Sequence, residues 1–188
     1  MKQNLRVNAH SASAAEKELL ILLLSDAVMV AMLTGNKKVL GFVFMSKGFV
    51  EGSHYLDYKV KCINLPWKSK VRLLLNKQGL EIPLFFGFMH YRRLKTYIDS
   101  FTKSHLEAAR LLEEIDDATA GRAYYDLAAQ LKTAFKFYRA RNYLRKAKII
   151  AERHNDTVLG AQIRELKKSI KARNRDIPNY LEGETRAA

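Results

Sequence analysis

Gly87, His90, Arg92 and Arg93 are the residues of this chain whose types and spacing best suit chemistry on a phosphate. They lie in the stretch EIPLFFGFMHYRRLKTYI, Glu81 to Ile98, where a short apolar run, Ile82 to Phe86, meets Gly87. Leu94, Tyr97, Ile98 and Phe101 then recur at helical spacing. The pattern predicts a strand turning into a helix, with glycine at the corner and basic side chains in the first turn. Helix N-termini present free N–H groups and favour anions. His90 can give or take a proton near neutral pH. The guanidinium groups of Arg92 and Arg93 are forked donors suited to phosphate. Glu51 is the candidate general base, because with His54 and Asp57 it falls in a region expected to face the same cleft. The catalytic candidates are therefore His90, Arg92, Arg93 and Glu51, with Gly87, His90, Arg92 and Arg93 lining a nucleotide or phosphate pocket.

A second constellation is a basic helix. Leu127 to Ala151 contains no acidic residue. Lys132, Lys136 and Arg139 fall at i, i+4, i+7, and Arg141, Arg145 and Lys148 repeat that spacing on a neighbouring face. Phe137, Tyr138 and Tyr143 are interleaved. Such a surface neutralises backbone phosphates and can stack bases. Nothing in it reads base edges, so little sequence preference is expected. Glu113, Glu114, Asp116 and Asp117 form a carboxylate cluster that could hold Mg²⁺, although a solvated helix end is the commoner use of such a pattern.

Composition agrees with a polyanionic partner. The 188 residues carry 33 Lys+Arg against 19 Asp+Glu, a formal net charge of +14. DNA is the first candidate, and peripheral contact with an acidic membrane is compatible with the same charge. Hydrophobic residues are 48% and charged residues 28%, as in a globular protein. Cys62 stands alone, so no intramolecular disulfide or cysteine-based zinc site can form. A cytoplasmic location, with inner-membrane association as a variant, fits best. Residues 1–18 hold no apolar signal-like run. Leu19 to Leu33 is strongly apolar, but it is only about 15 residues long and carries Asp26, against the roughly 20 that a span needs. It reads as core. P-loop, HExxH, G-x-S-x-G and GxGxxG patterns are absent from the sequence.

The elements that must position these residues read as follows. Ser13 and Glu16 have capping-box spacing, predicting a helix from Ala14 to about Leu24. Val28 to Met32 and Val39 to Met45 read as strands around a turn at Thr34 to Lys37. Tyr55 to Leu65 reads as a third strand. Val71 to Leu75 and Leu80 to Phe86 read as a hairpin around Asn76 to Gly79. Helices follow from His90 to Phe101, from a second capping box at Ser104 to Ile115, from Arg122 to Arg153, and from Thr157 to Lys171. The last pair has only a weak likeness to a solenoid unit. The expectation is an α+β protein: a sheet-rich core over 1–103, a helical basic extension over 104–176 and a flexible tail over 177–188.

The corner Phe86-Gly87-Phe88-Met89-His90-Tyr91-Arg92-Arg93 resembles the F-G-G-C-H-R corner of sulfiredoxins and the G-x-H-R-R type corner of ParB partition proteins. The resemblance implies a ParB/sulfiredoxin-like fold with the corner cradling nucleotide phosphates. Met89 stands where sulfiredoxins carry their cysteine, which removes peroxiredoxin repair. Within that fold, the small basic chain most resembles the plasmid fertility-inhibition (oncogenic-suppression) family. That likeness implies DNA cleavage with ATP hydrolysis, with Mg²⁺ as a candidate metal, acting on DNA leaving through a type IV secretion system and its coupling components. Two other readings stand beside it: a nucleotide-switched, sequence-nonspecific DNA-binding protein without cleavage, and an inhibitor that docks on a secretion or replication protein.

Overall fold

The computed structural model describes the backbone over residues 13–63 and 85–185, and the side chains over 13–59 (Ala14 apart) and 92–172. Among these residues there is no strand; the expected mixed sheet is replaced by helices. They are α1 (Ala14–Thr34), α2 (Lys37–Ile63), α3 (Phe85–Glu113), α4 (Thr119–Thr133), α5 (Phe137–Arg153) and α6 (Thr157–Thr185). The chain falls into two compact units, Met1–His105 and Leu106–Ala188.

In the first unit, the stretches read as strands are the interiors of two long helices. Val28 to Met32 belongs to α1, and Val39 to Met45 and Tyr55 to Ile63 belong to α2. Runs of five to seven apolar residues carry no decisive period, so cap chemistry decides. The Ser13/Glu16 capping box is formed, and Ser13 Oγ accepts from the Glu16 N–H at 3.3 Å. The expected turn at Thr34 to Lys37 is a helix-to-helix joint. Gly35 takes φ 63° at the end of α1 and returns its N–H to Met32. Asn36 Oδ1 then accepts from the N–H groups of Lys38 and Val39, which opens α2. The expected hairpin at Val71 to Leu80 lies outside the described residues.

The interface between α2 and α3 is unusually polar. Tyr55 packs edge-on to Phe101, and His54 and Tyr58 lie against Tyr97. Between these rings, Glu51, 4% exposed, accepts hydrogen bonds from Ser100 Oγ at 2.7 Å and Ser104 Oγ at 2.8 Å. Ser104 therefore does not cap a helix; it lies inside the continuous α3 and satisfies a buried carboxylate. Among the described residues, His54 Nδ1 and Thr102 Oγ1 are buried with no hydrogen-bond partner. On the other side of α2, Lys17 is 1% exposed and bonds Asp57 at 2.5 Å.

Gly48 is a point of close approach between the two helices. A Cβ there would stand 2.9 to 3.0 Å from the ring of His105, which is fully buried. Gly48→Ala gains about 1 kcal/mol of helix propensity but forces a ring to move in a closed interior, at about 1–3 kcal/mol. The expected outcome is a net loss of about 1 kcal/mol in chemical denaturation. A stabilised variant would show that the interface has room to spare.

The second unit is built by one repeated device. Asp116, Phe135 and Asn155 each take positive φ, 49°, 57° and 53°. In each case the following N–H bonds back five residues: Asp117 to Leu112, Lys136 to Leu131, Asp156 to Ala151. These are three Schellman turns, and they join α3, α4, α5 and α6 as successive tight hairpins. Two are followed by an aspartate cap, with Asp117 Oδ1 accepting from Thr119 N–H and Asp156 Oδ1 from Leu159 N–H. The expected single helix from Arg122 to Arg153 is thus two helices, broken at Ala134 to Lys136. The apolar positions Tyr124, Leu127, Ala128 and Leu131, and then Ala140 and Leu144, lie on the packed sides of this helical pair. Leu127, Leu131, Ala140, Leu144 and Ala147 are all buried, and Leu159, Ile163, Leu166 and Ile170 of α6 are buried as expected. Gly121 lets α4 approach Leu159 and Ile150.

Tyr124 gives this unit a pH signature. Burial first, and then the Glu113 carboxylate that its hydroxyl hydrogen-bonds, raise its pKa well above the usual tyrosine value. Unfolded tyrosine ionises near pH ~10, so this stabilisation is fully present below that pH and is lost as pH climbs beyond it. Tyr124→Phe is expected to flatten the fall of the denaturation midpoint above about pH 10. An unchanged alkaline slope would remove Tyr124 as its source.

Candidate nucleic-acid interface

Among the described residues the strand-to-helix corner is not formed; Leu80 to Leu84 of the expected strand lie outside them. Phe85 and Phe86, expected to end a strand, already belong to α3. Gly87 is the third residue of that helix and His90 the sixth, so the His90 N–H lies past the four free groups of the first turn. Arg92 and Arg93 are exposed further along α3, and the Arg92 carbonyl accepts from the Thr96 hydroxyl. Glu51 is enclosed and engaged by two serines instead of facing a cleft. The structure does not bring Glu51, Arg92 and Arg93 together as one described site.

The carboxylate cluster is likewise dispersed among separate partners. Glu114 pairs with Arg110 at 2.8 Å, Asp116 with Arg153 at 3.3 Å, Asp117 caps α4, and Glu113 meets Tyr124. Among the described residues no three of His, Cys, Asp and Glu group so as to hold a metal ion.

The basic constellation keeps more of its geometry. Helix α5 buries Phe137, Ala140, Leu144, Ala147, Ile150 and Ala151 on one side, and the alanines allow close packing against α4 and α6. That burial leaves Tyr138, Arg141, Arg145 and Lys148 exposed, at i, i+3, i+7 and i+10 on one neighbouring side. The three cations stand about 6 and 4.5 Å apart along the axis. Arg139 is exposed on another side of the helix, two residues and so about 160° round from Arg141.

Lys132, Lys136 and Arg139 do not form the single face expected of them. Lys132 is half-buried on α4, Lys136 is exposed in the turn and Arg139 is on α5. The break at Phe135 sets them on separate elements. None of Lys132, Lys136, Arg139, Arg141 and Arg145 makes an ion pair among the described residues. Lys148 does, with Glu152 at 3.2 Å; both side chains are 63% exposed, where such pairs contribute little.

The start of α5 adds to the positive field. Its N-cap is Lys136, with no side-chain cap, and its first turn carries no acid. A helix end that would ordinarily be satisfied by Ser, Thr, Asp or Asn is instead surrounded by cations, an arrangement that an anion stabilises.

The aromatics divide into three roles. Phe137 is buried. Tyr143 stacks on Tyr124 at 6.0 Å and 11°, with Lys146 over the Tyr124 ring at 5.1 Å. Tyr138 alone of these is open, at 77% exposure. Lys146 was visible in sequence as one more cation in an acid-free run; its aromatic partner twenty-two residues earlier was not. No described helix is long and apolar enough to cross a membrane.

No family model, curated protein or solved structure matches this chain.

Proposed function

We propose that the second unit is a sequence-nonspecific nucleic-acid-binding module whose contact surface is the outer face of α5. The observation that supports it is the exposed row Arg141, Arg145 and Lys148, in which Arg141 and Arg145 have no carboxylate partner among the described residues. A cation without a carboxylate partner has no ion pair to break before it meets a phosphate, and each phosphate contacted releases counterions. The row lacks side chains arranged to read base edges, so DNA is bound by its backbone. The ATP-dependent nuclease of the fertility-inhibition reading rested on the sheet corner, which is helical, so binding is the activity carried forward.

Tyr138 gives the module its preference. An open aromatic beside three cations offers a face for an unstacked base, worth about 1–3 kcal/mol per base. Purified full-length chain, titrated into fluorescent single-stranded and duplex DNA of equal length, is expected to bind both and to favour the single strand. Tyr138→Ala should erase that preference, at roughly tenfold or more in single-strand affinity, while leaving duplex binding within about twofold. Absence of binding to either DNA would overturn the proposal.

A further inference from the structure

Helix α1 carries a seam that nothing in the described structure covers. Leu19, Leu22, Leu23, Met29, Val30 and Leu33 are between 54% and 88% exposed. With Asp26, also exposed, they sit at offsets of 3, 4 and 7 residues on either side of a common centre. This places all seven on one stripe about 21 Å long. Continuous apolar stripes of that kind on a folded surface mark interaction sites. The opposite side of α1 is spoken for: Val28 and Ala31 are buried, and Lys17 is held by Asp57.

Charge decides the occupant. The exposed charged residues of α1 are Glu16, Glu18 and Asp26, all acidic; its one base, Lys17, is buried. A lipid surface fits poorly, because a carboxylate would stand at the middle of the inserted face with no basic residue beside it. A second copy also fits poorly. The seam is symmetric about Asp26, so pairing in either direction about that centre sets Asp26 against Asp26.

We infer that the α1 seam is the docking site for an amphipathic helix of another protein, one with apolar residues at the same 3-4 spacing and a lysine or arginine at its centre to meet Asp26. This is helix-on-helix recognition by i, i+3, i+4, i+7 anchors, with one charge pair setting register and partner choice.

The test uses the full chain and two synthetic helical peptides. Both carry leucine at the seam positions, and they differ only at the central residue, Lys or Glu. Fluorescence anisotropy should show the Lys-centred peptide binding at least about tenfold tighter than the Glu-centred one. Asp26→Lys should reverse that order, and Leu22→Glu should abolish binding of both. Circular dichroism of each variant separates loss of the seam from loss of fold. Equal binding of the two peptides, no binding of either, or no reversal in Asp26→Lys overturns the inference. So does a concentration-dependent dimer, or vesicle association, that Leu22→Glu disrupts while the Lys-centred peptide fails to bind.

Discussion

Asp57→Asn is expected to lower the stability of the first unit by about 3 kcal/mol, among the largest effects of any single polar substitution in the chain. Lys17 is 1% exposed and its ammonium bonds Asp57 at 2.5 Å. Removing the carboxylate charge leaves a buried ammonium without a counter-charge, and such losses cost about 3–5 kcal/mol. The lower end applies because the Asp57 side chain is 37% exposed and the site is not fully dry. The pair need not itself be a large net stabiliser. Taking two charges out of water cancels most of their attraction, so Lys17→Met with Asp57→Leu should recover most of what Asp57→Asn loses. Chemical denaturation of the single and double variants forms the cycle. A single variant within about 0.5 kcal/mol of the parent would show that Lys17 reaches water.

The second large effect belongs to α5. Changing Arg141, Arg145 and Lys148 together to Gln removes three cations from one exposed face and disturbs no buried contact. Three lost phosphate contacts should weaken DNA binding on the order of 100-fold at 0.1 M salt. They should also reduce the steepness of the salt dependence by about 2–3 in log–log slope. Stability should move little, since exposed charges away from special features shift it by roughly 0.5 kcal/mol or less. Relief of like-charge repulsion could even raise it slightly. The same substitution made in Lys132 and Lys136 should be milder, because these residues stand on separate elements and Lys132 is half-buried. Equal losses from both sets would indicate a diffuse field instead of a docking face.

What could be read from the sequence was what depended on local chemistry. The Ser13/Glu16 box, the breaks at Gly35 and at Asn155-Asp156, the inward stripe of Leu159, Ile163, Leu166 and Ile170, and the exposed row Arg141, Arg145 and Lys148 all stand in the structure. Short apolar runs were what misled. Val28–Met32 and Val39–Met45 are rich in valine, and propensity favours strands there. Their place inside two capped helices, 21 and 27 residues long, overrides it. The apolar stretch Leu19 to Leu33, read as core, is only half so. Its length suggested enclosure on all sides, but α1 packs one face on α2 and leaves the other open.

The turn at Phe135 had no signal of the usual kind. Its two sister turns use Asp116 and Asn155, residues that tolerate left-handed backbone, whereas phenylalanine rarely does. One unremarkable residue thus divided an expected long helix and separated Lys132 from Lys136 and Arg139. Glu51 illustrates a different limit. A carboxylate that flanks His54 together with Asp57 in sequence looks catalytic, but the hydroxyls that satisfy it, Ser100 and Ser104, lie about fifty residues away on another helix. The phosphate corner failed for the same reason as the sheet: Gly87, His90, Arg92 and Arg93 lie along a helix that already starts at Phe85, before the glycine at which the motif places its corner.

The most direct test of the central claim is the affinity of the wild-type chain for a fluorescent single-stranded DNA, measured by anisotropy across a series of salt concentrations. Phosphate contacts by Arg141, Arg145 and Lys148 predict a linear fall of log affinity with log salt, with a slope of about −2 or steeper. Little or no salt dependence, or no binding at low salt, would contradict the assignment of α5 as a nucleic-acid surface.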